Sequence, residues 1–125
     1  MSGGLTNYAT TALLAGTALP QTLYIKLHLG DPGADAVTNV AVETTRAAVD
    51  LEPGVVDYTA TNATDGDWTG LAADETATHF SLWDAATAGN PWMVGPFNPS
   101  ATLSAGGNAT IPAGNITITL TPYTP

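Results

Sequence analysis

The sequence predicts an all-β domain, an antiparallel β-sandwich or small barrel of about seven or eight strands, with a short N-terminal helix or arm in front of it. Three observations carry this prediction. Short segments alternate apolar and polar residues with period two, Gly/Pro/Asn/Asp clusters punctuate them, and threonine fills many of the polar positions. At 125 residues one domain is expected, long enough to bury roughly two-thirds of its unfolded surface without staples. Residues 1–21 form the predicted arm, a possible docking segment, and residues 22–125 the β-domain.

In chain order, Leu5, Tyr8, Ala9, Ala12 and Leu13 recur at helical spacing, Thr6 is a candidate cap and Gly16 a candidate stop. From Thr22 the period becomes two: Leu23, Ile25, Leu27 and Leu29 share one face, and Tyr24, Lys26 and His28 the other. Gly30-Asp31-Pro32-Gly33 ends that strand, because Pro fixes φ and Gly supplies positive φ, and a polar loop is expected through Asn39. Strands are expected over 45–51 and 54–61, with a turn at Asp65-Gly66-Asp67. Thr76, Thr78, Phe80 and Leu82 alternate with Ala77, His79, Ser81 and Trp83, the clearest strand of all. Gly89-Asn90-Pro91 turns the chain into a strand over 92–97, and Gly106-Gly107 separates Ala101–Leu103 from Ala109–Ile111. Ile116, Ile118 and Leu120 alternate with Thr117, Thr119 and Thr121 in a last, threonine-faced strand.

Threonine suits strands through its β-branch and keeps the solvent face wet through its hydroxyl. It supplies none of the charge that normally blunts a sheet edge. Neighbouring subunits, bulges or prolines such as Pro96, Pro99 and Pro112 must do so instead.

Charge then excludes whole classes of partner. Two basic residues, Lys26 and Arg46, stand against eleven carboxylates, a formal net charge of −9. Nucleic-acid binding rests on many Lys/Arg contacts to phosphate, and anionic membranes repel such a chain for the same reason, so neither is an expected partner. Without cysteine there is neither a disulfide nor a thiolate metal site. The start MSGGLTNYATTALLAG has no basic region and no unbroken apolar run, so synthesis in the cytoplasm is expected. Only 10% of residues are charged while 44% are apolar, so the chain should fold and hide apolar surface against neighbours.

Reactive constellations are sparse. His28 and His79 each fall on a predicted strand without metal-ligand spacing, and no G-x-S-x-G or phosphate-loop pattern occurs. Asp65/Asp67 and Asp31/Asp35 pair acids on turns, where Ca²⁺ could gather oxygens, but capping of their own turns explains them better. No two acids are placed as a glycosidase pair, although tryptophan-rich strands keep a carbohydrate-binding module open as a rival. N-x-T triplets at Asn62, Asn108 and Asn115 follow from the threonine content. No cofactor and no metal are expected, and no enzymatic activity.

The segments TLYIKLHLGDPGADAVTN (22–39), ATNAT (60–64), THFSLWDA (78–85), GNPWMVGPF (89–97) and SAGGNATIPAGNITITL (104–120) stand in a fixed order. In that order and spacing the chain resembles a family of small tailed-bacteriophage virion proteins, head decoration or tail fibre proteins. The resemblance lies in a strand running into L-H-x-G-D-P-G, an arginine opening the next strand, a strand ending in W-D-A, and a closing A-G-x-x-x-x-x-L. Arg46 and Asp84 take the family's positions, with Thr45 where an aromatic is expected. An arginine among carboxylates is expected to form a bidentate pair that fixes a loop or an interface.

This resemblance implies a virion structural protein, foremost a decoration (cement) protein on the outer head shell, or else a tail fibre or tail-tip component. The implied partners are the major capsid protein or tail proteins, and further copies of itself in a small oligomer such as a homotrimer. The candidate interface residues are Leu5, Tyr8 and Leu13 in the N-terminal segment, Arg46, and the aromatic anchors Trp68, Trp83, Trp92 and Phe97. For each aromatic the alternative is that it fills the core.

Overall fold

The computed structural model describes residues 4–14, 21–53 and 59–119. Their elements run β1 (Gly4–Leu5), α1 (Asn7–Leu14), β2 (Thr22–His28), β3 (Ala47–Pro53), β4 (Thr59–Asn62), β5 (Gly66–Trp68), β6 (Glu75–Trp83), β7 (Pro91–Leu103), β8 (Ala109–Ile111) and β9 (Thr117–Thr119). The all-β expectation holds. Seven strands make one curled antiparallel sheet in the order β1-β7-β6-β2-β3-β4-β9, and β5 and β8 pair as a separate ribbon.

The period of two in β2 sets the two faces of the sheet. Leu23, Ile25 and Leu27 are at most 2% exposed and sit opposite Val49 and Ala47 of β3 and Leu82 and Phe80 of β6. The ribbon closes over this inner face, where Trp68 joins their cluster. Burying such side chains contributes about 1.5–3 kcal/mol each, which makes this layer the main source of stability. Tyr24, Lys26 and His28 point to the outer face, opposite Trp83, Ser81 and His79.

The N-terminal segment is tied to the same sheet. Leu5 pairs with Met93 at the β7 edge. Thr6 caps α1 by accepting the Ala9 N–H at 3.1 Å, as its position before the apolar repeat predicts. Ala9 is fully buried, and Tyr8 meets the edge of Trp92 with ring centroids 5.5 Å apart. The Leu13 side chain, Gly16, most of the strand expected over 54–61, and Leu120 and Thr121 lie outside the described residues.

Three local expectations are corrected. Asp65-Gly66-Asp67 is not a turn: Gly66 opens β5 and pairs with Ile111. A Cβ on Gly66 would stand 2.9 Å from Ile25 Cδ1 and 3.1 Å from Val49 Cγ1, so glycine lets the ribbon approach the sheet. The strands expected at 92–97 and 101–103 are one strand, β7, running through Pro96 and Pro99. Pro96 stands opposite His79 of β6, and Pro99 falls in the register irregularity between the His79–Pro96 and Ala77–Ala101 pairs, the bulge setting in which a strand tolerates proline. Finally, the loop after β2 is less polar than expected, as its surface shows below.

Candidate interface surfaces

The acids come first, since they dominate the composition. All nine carboxylates whose side chains are described accept hydrogen bonds from the protein itself. Glu43, 6% exposed, takes the amides of Ala72 and Thr45 at 2.8 and 3.3 Å. Glu75 takes those of Val42 and Glu43 at 2.9 and 3.0 Å. Asp31 accepts from Gly33 N at 2.9 Å, within its own turn. Asp35 holds Asn7, Asp65 takes Ala113 N and Asp67 takes the Thr110 hydroxyl. Of the two acid pairs on expected turns, only Asp31 caps its own turn; Asp65 and Asp67 tie β5 to the β8 side of the ribbon, and among the described residues no three His, Asp or Glu converge as metal ligands.

His28 is equally committed. It is fully buried, with Nδ1 2.9 Å from Thr38 O and Nε2 2.7 Å from Ser81 Oγ. A carbonyl only accepts, so Nδ1 carries the proton and Nε2 accepts from Ser81. Ser81 Oγ in turn accepts from Trp83 Nε1 at 2.7 Å. Burial lowers the pKa of His28, with Lys26 and His79 adding to the effect and Thr38 opposing it. The ring is a neutral strut that holds the loop after β2 against the sheet.

Arg46 fixes a loop, but through carbonyls and not the carboxylate pair expected for it. Its Nη1 donates to Ala85 O at 2.8 Å and Ala88 O at 2.7 Å, and its guanidinium lies 4.1 Å from the Trp83 ring centroid. Asp84 closes the same loop by accepting the Asn90 amide at 2.8 Å and Trp92 Nε1 at 3.2 Å. The loop needs that support because Ala88 has φ 53° and Gly89 φ 75°. Lys26 Nζ stands 5.6 Å from the Trp83 ring. Burial, then the neighbouring Arg46, lowers the Lys26 pKa. Burial also lowers that of Arg46, with Asp84 opposing.

The exposed apolar surface sits where composition did not place it. Leu29, Val37, Val40 and Val42 are 42, 66, 38 and 62% exposed, and Tyr8 38%. Four of these five lie on the segment that leaves β2, crosses the outer face and returns to it through the His28–Val40 bridge. Ala36, at its centre, is buried against Trp83 and Val94. A recess of about 200 Å³ opens elsewhere, lined by Phe80, Phe97, Ile111 and Ile116 with Thr110 and Asn115. It is smaller than the roughly 300 Å³ at which small-molecule sites begin.

The predicted interface residues therefore separate. Trp68 and Trp92 are 3 and 2% exposed and fill the core, as their alternative reading had it. Trp83, 8% exposed, is covered by Ala36 and Arg46. Phe97 packs on Phe80 with ring centroids 5.3 Å apart, and Leu5 is half-buried against the core. Tyr8 and Arg46 retain exposure. No tryptophan offers the open platform that a sugar-binding module requires.

Comparison with known proteins gives the chain's relationship. The model of a family described as podophage GP4 fiber I protein gp80 matches residues 1–119. No curated protein matches.

Proposed function

This chain belongs to the podophage GP4 fiber I family of small tailed-phage virion proteins, and on that premise we propose that it is a non-enzymatic structural subunit of the virion's fiber, associating with tail proteins and with copies of itself. The family match over 119 of 125 residues carries this reading. The local chemistry agrees with it. The described acids are engaged in hydrogen bonds within the chain, His28 is a buried strut, and four of the five exposed large apolar residues lie together on the segment after β2. Such a surface suits association, since exposed apolar patches mark interaction sites.

The head-shell placement foremost in the sequence analysis, with the major capsid protein as partner, has the same physical demands: acidity, few cations and an exposed apolar segment. Copy number separates the two. Cryo-electron microscopy of purified virions, with quantitative mass spectrometry of the same particles, is expected to place a small number of copies on the tail. Copies in the hundreds over the shell replace the fiber reading with decoration, and absence from the particle overturns both.

A further inference from the structure

The segment after β2, residues 29–42, is held in a conformation its own backbone does not favour. Ala36 and Asn39 have φ 58° and 53°, values that residues with a Cβ keep only under constraint. Many of its hydrogen bonds are internal or close its stem: Thr38 Oγ1 and Asn39 Nδ2 donate to Asp31 O, Leu29 N to Asn39 O and Ala41 N to Leu27 O. Ties from its tip to the rest of the fold run through Ala36, buried against Trp83 and Val94, and through Asn7, which donates to Ala34 O and Asp35. They also run through the His28 ring, whose Nδ1 donates to Thr38 O at 2.9 Å.

That ring fits its place only while neutral. Its Nε2 accepts the Ser81 hydroxyl and Ser81 Oγ accepts Trp83 Nε1, each at 2.7 Å. A proton on Nε2 turns this acceptor into a donor, so the buried hydroxyl loses its acceptor and a charge is left in a fully buried ring. Among the described residues no carboxylate bonds the ring. Asp31 and Asp35 of the segment are taken up by Gly33 and Asn7, Glu43 and Glu75 at its end by backbone amides, Asp50 by Thr22, and Asp84 by Asn90 and Trp92. Burial disfavours a positive charge there, Lys26 of β2 and His79 of β6 add to this, and the Thr38 carbonyl opposes it. Arg46, before β3, lies on the Trp83 ring.

We propose that His28 is an acid-released latch: a proton taken up at Nε2 frees residues 29–42 from the outer face of the sheet. Opening lets the imidazolium reach water and lets Ala36 and Asn39 leave the left-handed region, so the freed segment takes the proton more readily than the closed one. The sign follows from that difference. A closed form that resists protonation is unaffected above the ordinary histidine value of 6.5 and loses ground as pH falls below it. Closed, the segment presents Leu29, Val37, Val40 and Val42 as one apolar surface; released, it withdraws that surface and uncovers Trp83 and Val94. The latch stands on the fold alone. Its use rests on the fiber reading, in which this segment is the surface offered to neighbouring subunits.

Amide hydrogen exchange of the purified chain, read residue by residue by NMR between about pH 7 and 5, tests the latch apart from where the protein sits in a virion. The amides to follow are those of Ala36 and Thr38, which donate to Gly33 O and Pro32 O, each at 3.1 Å. After correction for the intrinsic chemistry of exchange, they should open at least about tenfold more often than the global unfolding measured by urea. That opening should rise by up to about tenfold per pH unit below 6.5. In His28→Gln, which cannot take up the proton, it should not change with pH. The wild type gives a second readout that does not require the variant to fold: the His28 ring resonances should titrate below 6.5, and the rise in opening should level off where they do. Opening that ignores pH, an equal rise in His28→Gln, a segment that opens only with the whole domain, or a ring that titrates at 6.5 or above overturns the latch and leaves family and virion location untouched.

Discussion

Ser81→Ala removes the hub of the buried network on the outer face. Ser81 and His28 are fully buried and Trp83 is 8% exposed. One hydroxyl serves both rings, donating to His28 Nε2 and accepting from Trp83 Nε1, each at 2.7 Å. Alanine fills almost the same space, so the cavity contribution is small. The cost comes from two buried polar groups left without partners, about 1–3 kcal/mol each. Since the loop over His28 can relax partway, we take roughly 3 kcal/mol for the pair. For a domain of this size that corresponds to about 10–15 °C in Tm. Urea unfolding followed by far-UV circular dichroism should show a lower midpoint with an unchanged slope, because the surface exposed on unfolding is the same. The exposed Thr102→Ala is the control, expected within about 0.5 kcal/mol of wild type. A Ser81→Ala loss no larger than that control would refute the network as a source of stability.

Gly66→Ala should cost about 1–3 kcal/mol by overpacking, since its Cβ meets Ile25 and Val49 at 2.9 and 3.1 Å; a neutral result in the same urea assay would mean the ribbon is not seated on the sheet. Burial holds His28 below its ordinary value of 6.5, so the unfolded chain binds more protons than the folded one as pH falls below that value. Its contribution is therefore complete above pH 6.5 and is lost on acidification, at up to about 1.4 kcal/mol per pH unit. Urea midpoints across that range should fall less steeply in His28→Gln, and parallel slopes would contradict the assignment. Arg46→Ala removes the Nη1 group that donates to both loop carbonyls, so the Asn90 amide should exchange with deuterium faster, by about tenfold for a loss of roughly 1.4 kcal/mol; unchanged exchange would show that Asp84 alone closes the loop.

How far the molecule was legible in advance depended on whether the cause was local. β2 was readable because Leu23/Ile25/Leu27 repeat at the period of the pleat, and the Thr6 cap because a cap lies beside what it caps. β6 was readable as a strand, but the irregularity between Ala77 and His79 breaks the expected alternation and puts Ala77, not Thr76, in the core with Phe80 and Leu82. β5 was misread because Asp-Gly-Asp has turn chemistry, while the use of Gly66 is close approach to Ile25 and Val49, residues distant in sequence. The continuity of β7 through Pro96 and Pro99 depended on the register irregularity opposite Ala77 and His79 of β6, a property of the sheet and not of the segment. Arg46 was singled out correctly as a loop-fixing residue, but its partners lie 39 and 42 residues away and are carbonyls, which sequence pattern does not display. The aromatic residues drew attention as anchors because of their size, and size is also what made them core. The exposed valines carried a weak signal, Val37, Val40 and Val42 in a stretch without a charge. Their presentation depends on His28 holding the loop down.

The central claim is that this chain acts by being built into a podophage fiber through its surfaces. A reconstruction of the intact virion at side-chain resolution tests it most directly. The account predicts the curled seven-stranded sheet within the fiber, in contact with neighbouring subunits. Finding the fold nowhere in the particle, or exposed on all sides in every copy, would contradict it.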